Sequence, residues 1–189
     1  MNYLEMLSAQ GLIDKSAFQK LSLFVDLILQ WNERINLTGL KSRPQIEEVL
    51  VGEAVLALPH LRISGKSVLD FGSGAGIPGI VWAICDRKAR ITSVESRQKK
   101  VAFQKEVARE TELAVEILSG RFPEAVQDRS FDVIATRAIR FSPSLWNAAR
   151  NMLLPDGRLI RFSNPRSKPE EGWQAIPLSK RAQLLILGS

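Results

Sequence analysis

From Ser16 to Leu37 apolar residues recur three or four positions apart, at Leu21, Phe24, Val25, Ile28, Trp31 and Ile35. That spacing lays one stripe along an amphipathic helix. The segment SRPQIEEVLVGEAVLALPHL, residues 42–61, predicts a second helix, with Pro44 near its first turn and Pro59 at its end. A helical N-terminal extension is therefore expected over residues 1–62. Beyond it the period changes. Short apolar runs rich in β-branched residues appear at SVLDFG (67–72), ARITSVES (89–96), LAVEILSG (113–120), FDVIATRA (131–138) and GRLIRFS (157–163). Segments of helical character, RQKKVAFQKEVARET and PSLWNAARNML, stand between them. Strands alternating with helices imply crossover units, so residues 63–189 predict an α/β domain: a mostly parallel, Rossmann-like sheet with helices on both faces. The tail GWQAIPLSKRAQLLILGS reads as two short strands around a polar turn, a closing antiparallel hairpin.

A hydrophobic content of 45% in 189 residues supports one full core without covalent staples. The single cysteine, Cys85, excludes an internal disulfide and any cysteine-built metal site, and points to a reducing compartment. MNYLEMLSAQGLIDK has no basic segment leading into an apolar one, and no stretch approaches the roughly 20 apolar residues of a membrane span. A monomeric cytoplasmic protein without a metal is expected. The net charge of +6 is unevenly placed: from Arg137 onward there are nine Lys or Arg against three Asp or Glu, while the rest holds 17 of each sign. Such clustering favours an anionic partner such as RNA, against the plainer reading of a solvated basic face.

The stretch LDFGSGAGIPGI, residues 69–80, follows the first predicted strand. Gly72, Gly74 and Gly76 allow positive φ and a close backbone approach, and Pro78 can open the next helix. Ligands of open α/β sheets settle at the carboxyl ends of strands, where this turn lies. GAGIPG, residues 74–79, also fits the dinucleotide fingerprint GxGxxG, with Glu95 placed to take ribose hydroxyls, so a nicotinamide-dependent oxidoreductase is one reading. Asp70 favours another. A carboxylate two residues before the first glycine suits a cationic ligand such as S-adenosylmethionine and suits a pyrophosphate badly. Arg137, at the carboxyl end of the fourth predicted strand, should stand beside the same turn; its plainer role is a surface arginine near a helix start. Trp31 is at core spacing with Phe24 and Ile28, and Cys85 falls inside a predicted helix, where a small apolar role fits.

DFGSGAGIPG, VES followed by the lysines at 99 and 100, TRA at 136–138 and WNERINLT at 31–38 together resemble the RsmG (GidB) family of bacterial small-subunit ribosomal RNA guanine-N7 methyltransferases. The resemblance runs from about residue 16 to the C-terminus. It implies a class I methyltransferase that binds S-adenosylmethionine through Asp70, Gly72, Ser73, Gly74, Gly76, Ile77 and Glu95, and acts on 16S ribosomal RNA or the small ribosomal subunit. Arg137 matches the arginine that this family keeps at the cofactor and substrate site. Methylation at N7 uses an in-plane lone pair, so Arg137 would position groups and no general base is expected. Arg121 matches a family arginine after the third strand, but GRFPEA departs from the usual spacing and puts Phe122 and Pro123 at the positions bordering the adenine. Two further departures stand at Leu50, where a histidine is usual before an acid that here becomes Glu53, and at Ser163 and Asn164, which replace Lys-Gly. Arg161, Arg166 and Lys168 are the cations expected to meet RNA in place of that lysine. A chain that binds the cofactor and RNA without turnover is the other alternative.

Overall fold

Asp14 starts the helix that the apolar stripe predicts: its carboxylate accepts the Ala17 N–H at 2.7 Å, a side-chain cap for an otherwise unpaired donor. The computed structural model describes residues 1–139 and 142–188. A short helix α1 (Tyr3–Ala9) precedes α2 (Lys15–Asn32), which buries Leu21, Phe24, Val25 and Ile28. Helix α2 ends five residues before Leu37, because the Asn32 amide takes over the backbone that follows. Its Nδ2 donates to the carbonyls of Thr38 (3.0 Å) and Leu40 (3.1 Å), and its Oδ1 accepts from Leu37 (2.9 Å) and Thr38 (3.1 Å). A side chain that satisfies four backbone groups gives the chain an alternative to further helix. The second predicted helix is present but widened in the middle: α3 (Arg43–Gln45) passes into π-helical turns over Ile46–Gly52 and then α4 (Glu53–Leu61). Gly52 is needed there, since a Cβ would lie 2.3 Å from Cε1 of Tyr3.

The five predicted strand runs all form, as β1 (Ser67–Phe71), β2 (Arg90–Glu95), β3 (Glu116–Ser119), β4 (Phe131–Arg137) and β5 (Leu153–Ser163). With the closing hairpin, β6 (Gln174–Pro177) and β7 (Gln183–Gly188), they make one sheet in the order β3-β2-β1-β4-β5-β7-β6. The first five are parallel, and β7 is antiparallel to both its neighbours. This is the expected class I, Rossmann-like sheet. Strand β5 starts four residues before the predicted run, with a register shift against β4 around Asp156, which adopts φ 62°.

Alternation along the strands divides the two faces. Val68, Val133, Ala135, Ile160 and Leu184 pack with Trp82 of α5 (Gly79–Cys85) and with Ala57 and Leu61 of α4. Leu69, Ile134, Leu159 and Leu185 pack with Ala149 of α7 (Pro143–Asn151), Phe122 and Trp173. Helix α6 (Gln98–Glu110) joins the first face: its Phe103 and Val107 share one cluster with Ile80, Val81 and the buried stripe of α1 and α2. The second face carries the single described helix α7, because the β3–β4 connection holds only a 3-10 turn (Glu124–Val126) and residues 164–173 form no helix. Trp173 fills that space, 8% exposed, with Trp146 5.4 Å away and the Arg161 guanidinium over its ring at 5.7 Å. Trp173→Ala is expected to lower the free energy of unfolding by about 3–5 kcal/mol, measured by urea denaturation. A loss under about 1 kcal/mol would mean that the second face does not depend on this ring.

Candidate functional site

Gly72, Gly74 and Gly76 all adopt the left-handed φ that the turn after β1 requires, at 66°, 59° and 82°. Side chains from two other elements fix that turn. Gln104 of α6 donates to Oγ of Ser73 (2.8 Å) and to the Gly74 carbonyl (2.9 Å), and its Oε1 accepts from Ser93 Oγ (2.6 Å), which lies 2.7 Å from Ser73 Oγ. Glu95, at the end of β2, accepts the N–H groups of Gly74 and Arg97, each at 2.8 Å. A carboxylate has about four acceptor positions, so Glu95 keeps capacity for hydroxyl donors. Gln104 carried no signal in the sequence: it is one polar residue among several on an amphipathic helix, and its role exists only once α6 crosses the turn.

A cavity of about 470 Å³ opens over this turn at the carboxyl edge of the sheet. Gly72, Ser73, Gly74, Ile77, Glu95 and Arg137 line it together. Lys100 reaches across from α6, and Leu37, Thr38 and Leu50 close it from the N-terminal side. The Asn32 clip is what carries Leu37 and Thr38 to that wall. Trp31 lies edge-on to Phe103, 5.6 Å between ring centres, as part of the core. Gly76 faces inward: a Cβ there would lie 2.3 Å from Cδ1 of Ile80. Asp70 is not on the cavity wall. It is fully buried beneath the turn, where Oδ2 accepts the Gly79 N–H at 2.8 Å and Oδ1 has no hydrogen-bond partner.

A second cavity of about 350 Å³ continues past Gly72, lined by Phe71, Phe122, Arg121 and Leu145. Phe122 stacks on Phe71 at 4.2 Å between centres, making a flat apolar wall. The Ile139 side chain divides the two lobes; a Cβ on Gly72 would lie 2.6 Å from its Cδ1. A third cavity, of about 270 Å³, lies on the other side of Arg137 and is lined by Glu53, Phe162, Ser163, Asn164 and Arg181.

Arg137, together with Ala138, lines both the first cavity and the third. Its Nη2 donates to Glu53 Oε2 (2.6 Å) and to the carbonyl of Val49 in the π-helical turns (2.9 Å), and its guanidinium sits over the Phe162 ring at 5.2 Å. Its Nη1 is buried and has no hydrogen-bond partner. Glu53 also accepts from Ser179 Oγ at 3.0 Å. A π-helical widening is often found at functional sites, and here it lies against the arginine between the cavities. Of the expected RNA-facing cations, Arg121 is exposed at the rim of the second cavity. Arg161 points to the α7 face of the sheet, towards Glu170 (3.7 Å) and Trp173. Arg166 and Lys168 are exposed on the loop after β5, whose base Gln183 ties to the carbonyls of Asn164 (3.0 Å) and Ser167 (2.7 Å). Cys85 ends α5, and burial pushes its thiol up to about 12, away from thiolate chemistry.

The residues present fit S-adenosylmethionine. The orphaned Oδ1 of Asp70 lies under the turn, where a cationic ligand would favour the ionised carboxylate, the glycines leave the backbone open, Glu95 offers acceptors, and the Phe71–Phe122 wall suits a purine.

Burial pushes the Asp70 carboxyl up to about 7, with the Gly79 N–H pulling the other way. A folded pKa above the unfolded value of about 3.9 means that the folded state holds a proton which the unfolded chain releases, so this group's contribution falls as pH rises from about 4 to about 7. Asp70→Asn removes that dependence. In urea denaturation the variant is therefore expected to gain stability relative to the parent between about pH 4 and pH 8; a constant difference would exclude the shift. Glu53→Ala, which strands a buried guanidinium, is expected to cost about 3–5 kcal/mol in the same assay.

The family model described as rRNA small subunit methyltransferase G (GidB) matches residues 17–172. The "Ribosomal RNA small subunit methyltransferase G" of Syntrophotalea carbinolica is 34% identical over 171 residues, covering 88% of this chain and 78% of that protein. The protein of the same name from Wolinella succinogenes is 29% identical, covering 93% and 92%. Among solved structures, an RNA methyltransferase from Salinibacter ruber in complex with S-adenosyl-L-homocysteine superposes with a TM-score of 0.59 at 20% identity, covering 71% of this chain and 88% of that one.

Proposed function

The chain belongs to the GidB family, rRNA small subunit methyltransferase G, and from that membership we propose that it transfers a methyl group from S-adenosylmethionine to N7 of a guanine in 16S ribosomal RNA. The observation that carries this reading is the convergence of the glycine turn, Glu95, Lys100 and Arg137 on one cavity that adjoins an aromatic-walled lobe across Gly72 and Ile139. Gly72, Ser73, Gly74, Gly76 and Ile77 shape the methionine end of the donor site, Glu95 takes the ribose hydroxyls, and Phe122 borders the adenine. Asp70 acts from beneath, its ionised form favoured once the cationic donor is bound.

When bound, S-adenosylmethionine supplies an electrophilic methyl group on a sulfonium. Guanine N7 attacks with a lone pair that carries no proton, so the side chains have only to align, shield and balance charge. Arg137 borders both the donor cavity and the third cavity, and we assign the acceptor base to the mouth of the third where it meets the first. A guanidinium in this wall suits the O6 acceptor of guanine; adenine has an amino donor at that place, which a guanidinium cannot accept. Methylation moves positive charge onto the purine. A bare arginine would oppose that, whereas the Glu53 carboxylate makes the Arg137 pair neutral overall. The base has to be unpaired to enter, since side chains cannot read the narrow major groove of an A-form helix. Arg121, Arg166 and Lys168, exposed at the rims and on the loop after β5, hold the flanking backbone, with Arg161 behind them. Their contacts position RNA and carry little sequence information. The setting is the cytoplasm and the partner the small ribosomal subunit; among the described residues no helix is long and apolar enough to cross a membrane.

Methyl-labelled S-adenosylmethionine, incubated with the protein and small subunits from cells lacking the endogenous activity, is expected to leave label in N7-methylguanosine. Arg137→Lys, which keeps the charge but not the fork, should lower kcat at least about 100-fold, as for loss of one well-aimed transition-state donor. No label in RNA while donor binding is intact would overturn the reading, and binding of a nicotinamide dinucleotide in preference to S-adenosylmethionine would replace it with the oxidoreductase.

A further inference from the structure

The turn between β6 and β7 is built more firmly than its exposure requires. Ser179 Oγ accepts the N–H groups of Arg181 and Ala182, each at 3.0 Å, and the N–H groups of Leu178 and Ser179 both donate to the Ala182 carbonyl at 3.0 Å. The same Ser179 hydroxyl donates to Glu53, so the turn is fastened to the carboxylate that holds Arg137. At its tip Lys180 and Arg181 stand side by side and exposed. Neither has an ion-pair partner among the described residues, whereas Lys66, Arg109, Arg129 and Arg43 each face a carboxylate. Arg181 also lines the third cavity, together with Arg137, Ser163 and Asn164.

We propose that this turn is a preformed clamp for RNA phosphates, in which Lys180 and Arg181 bind the backbone flanking the nucleotide whose base enters the cavity beside Arg137. The inference rests on the reading of that cavity as the acceptor site. Two cations without counter-charges stand on a turn whose backbone is already held by five hydrogen bonds, so only their side chains have to be ordered when a phosphate docks. Their place at the rim of the cavity fixes which phosphates they meet. Anchoring through Ser179 and Glu53 sets their distance from Arg137, and therefore from the reacting base.

The test is filter binding of unmodified 16S ribosomal RNA, transcribed in vitro, to the full-length protein over a series of salt concentrations. Lys180→Ala/Arg181→Ala is expected to weaken binding about tenfold and to reduce the slope of log K against log salt by about 1.5, the share of two phosphate contacts. Lys180→Arg/Arg181→Lys, which keeps both charges, should retain the slope. Arg87→Ala/Lys88→Ala removes the same charge at the opposite, amino-terminal edge of the strands and should leave the slope unchanged. Donor binding, followed by tryptophan fluorescence, and the melting temperature of the turn variant should match the parent and show that the fold is intact. An unchanged slope in the turn variant, or an equal fall in both alanine pairs, would overturn the clamp. If the parent binds RNA with the expected slope difference but transfers no methyl group, the transferase reading fails and the clamp stands. If the parent transfers methyl groups and its turn variant binds RNA just as tightly, the clamp fails and the transferase reading stands.

Discussion

The pair between Arg137 and Glu53 is the constraint on which the site depends. An arginine side chain that is 17% exposed beside a glutamate side chain that is 4% exposed is costly to desolvate and stable only while both partners stay together. Their positions come from the end of β4 and the start of α4, 84 residues apart, and Ser179 brings in the closing hairpin. One ion pair thus ties the helical N-terminal part, the sheet and the C-terminal turn at a single point. The remaining bonds of the same groups, to the Val49 carbonyl and the Phe162 ring, leave the guanidinium one orientation, with Nη2 committed and Nη1 uncommitted.

The glycine turn follows a different logic. Its backbone conformation is intrinsic to three glycines, but its stiffness is borrowed from Gln104, Ser93 and Glu95, which sit on β2 and α6. A fully satisfied buried network of this kind rigidifies what it touches. Together the two devices make a cleft whose floor is set by short-range stereochemistry and whose walls are set by distant side chains.

That division explains what could be read in advance. Strand runs and the stripe of α2 are local patterns, and β1 to β4 and the hairpin appear where the period predicts them, with β5 extended four residues earlier. The glycines with Glu95 and Arg137 could be placed on one edge because parallel topology sends every strand's carboxyl end the same way. What stayed hidden depends on contacts across the chain. Helix α2 stops at Asn32 because one amide satisfies four later backbone groups, and no periodicity reports that. The π-helical turns answer to Tyr3 and Arg137, both outside the segment. Asp70, chosen for charge, lies under the turn because β1 alternation points it at α5. The C-terminal excess of cations was visible as a count. Alternation along β5, which sends Arg161 and Phe162 to opposite faces, decides which of them can approach the cleft.

Sharing one hydrophobic cluster has a consequence for how the molecule comes apart. Ala75 and Ile77 of the glycine turn, Ile80 and Val81 of α5, and Phe103 and Val107 of α6 are buried by the same side chains of α1 and α2 that bury one another. A fragment lacking the first two helices would present that whole surface to water. Melting of the helical segment and collapse of the ligand cleft are therefore one cooperative event, and any protease able to cut α2 would silence the cleft without touching it.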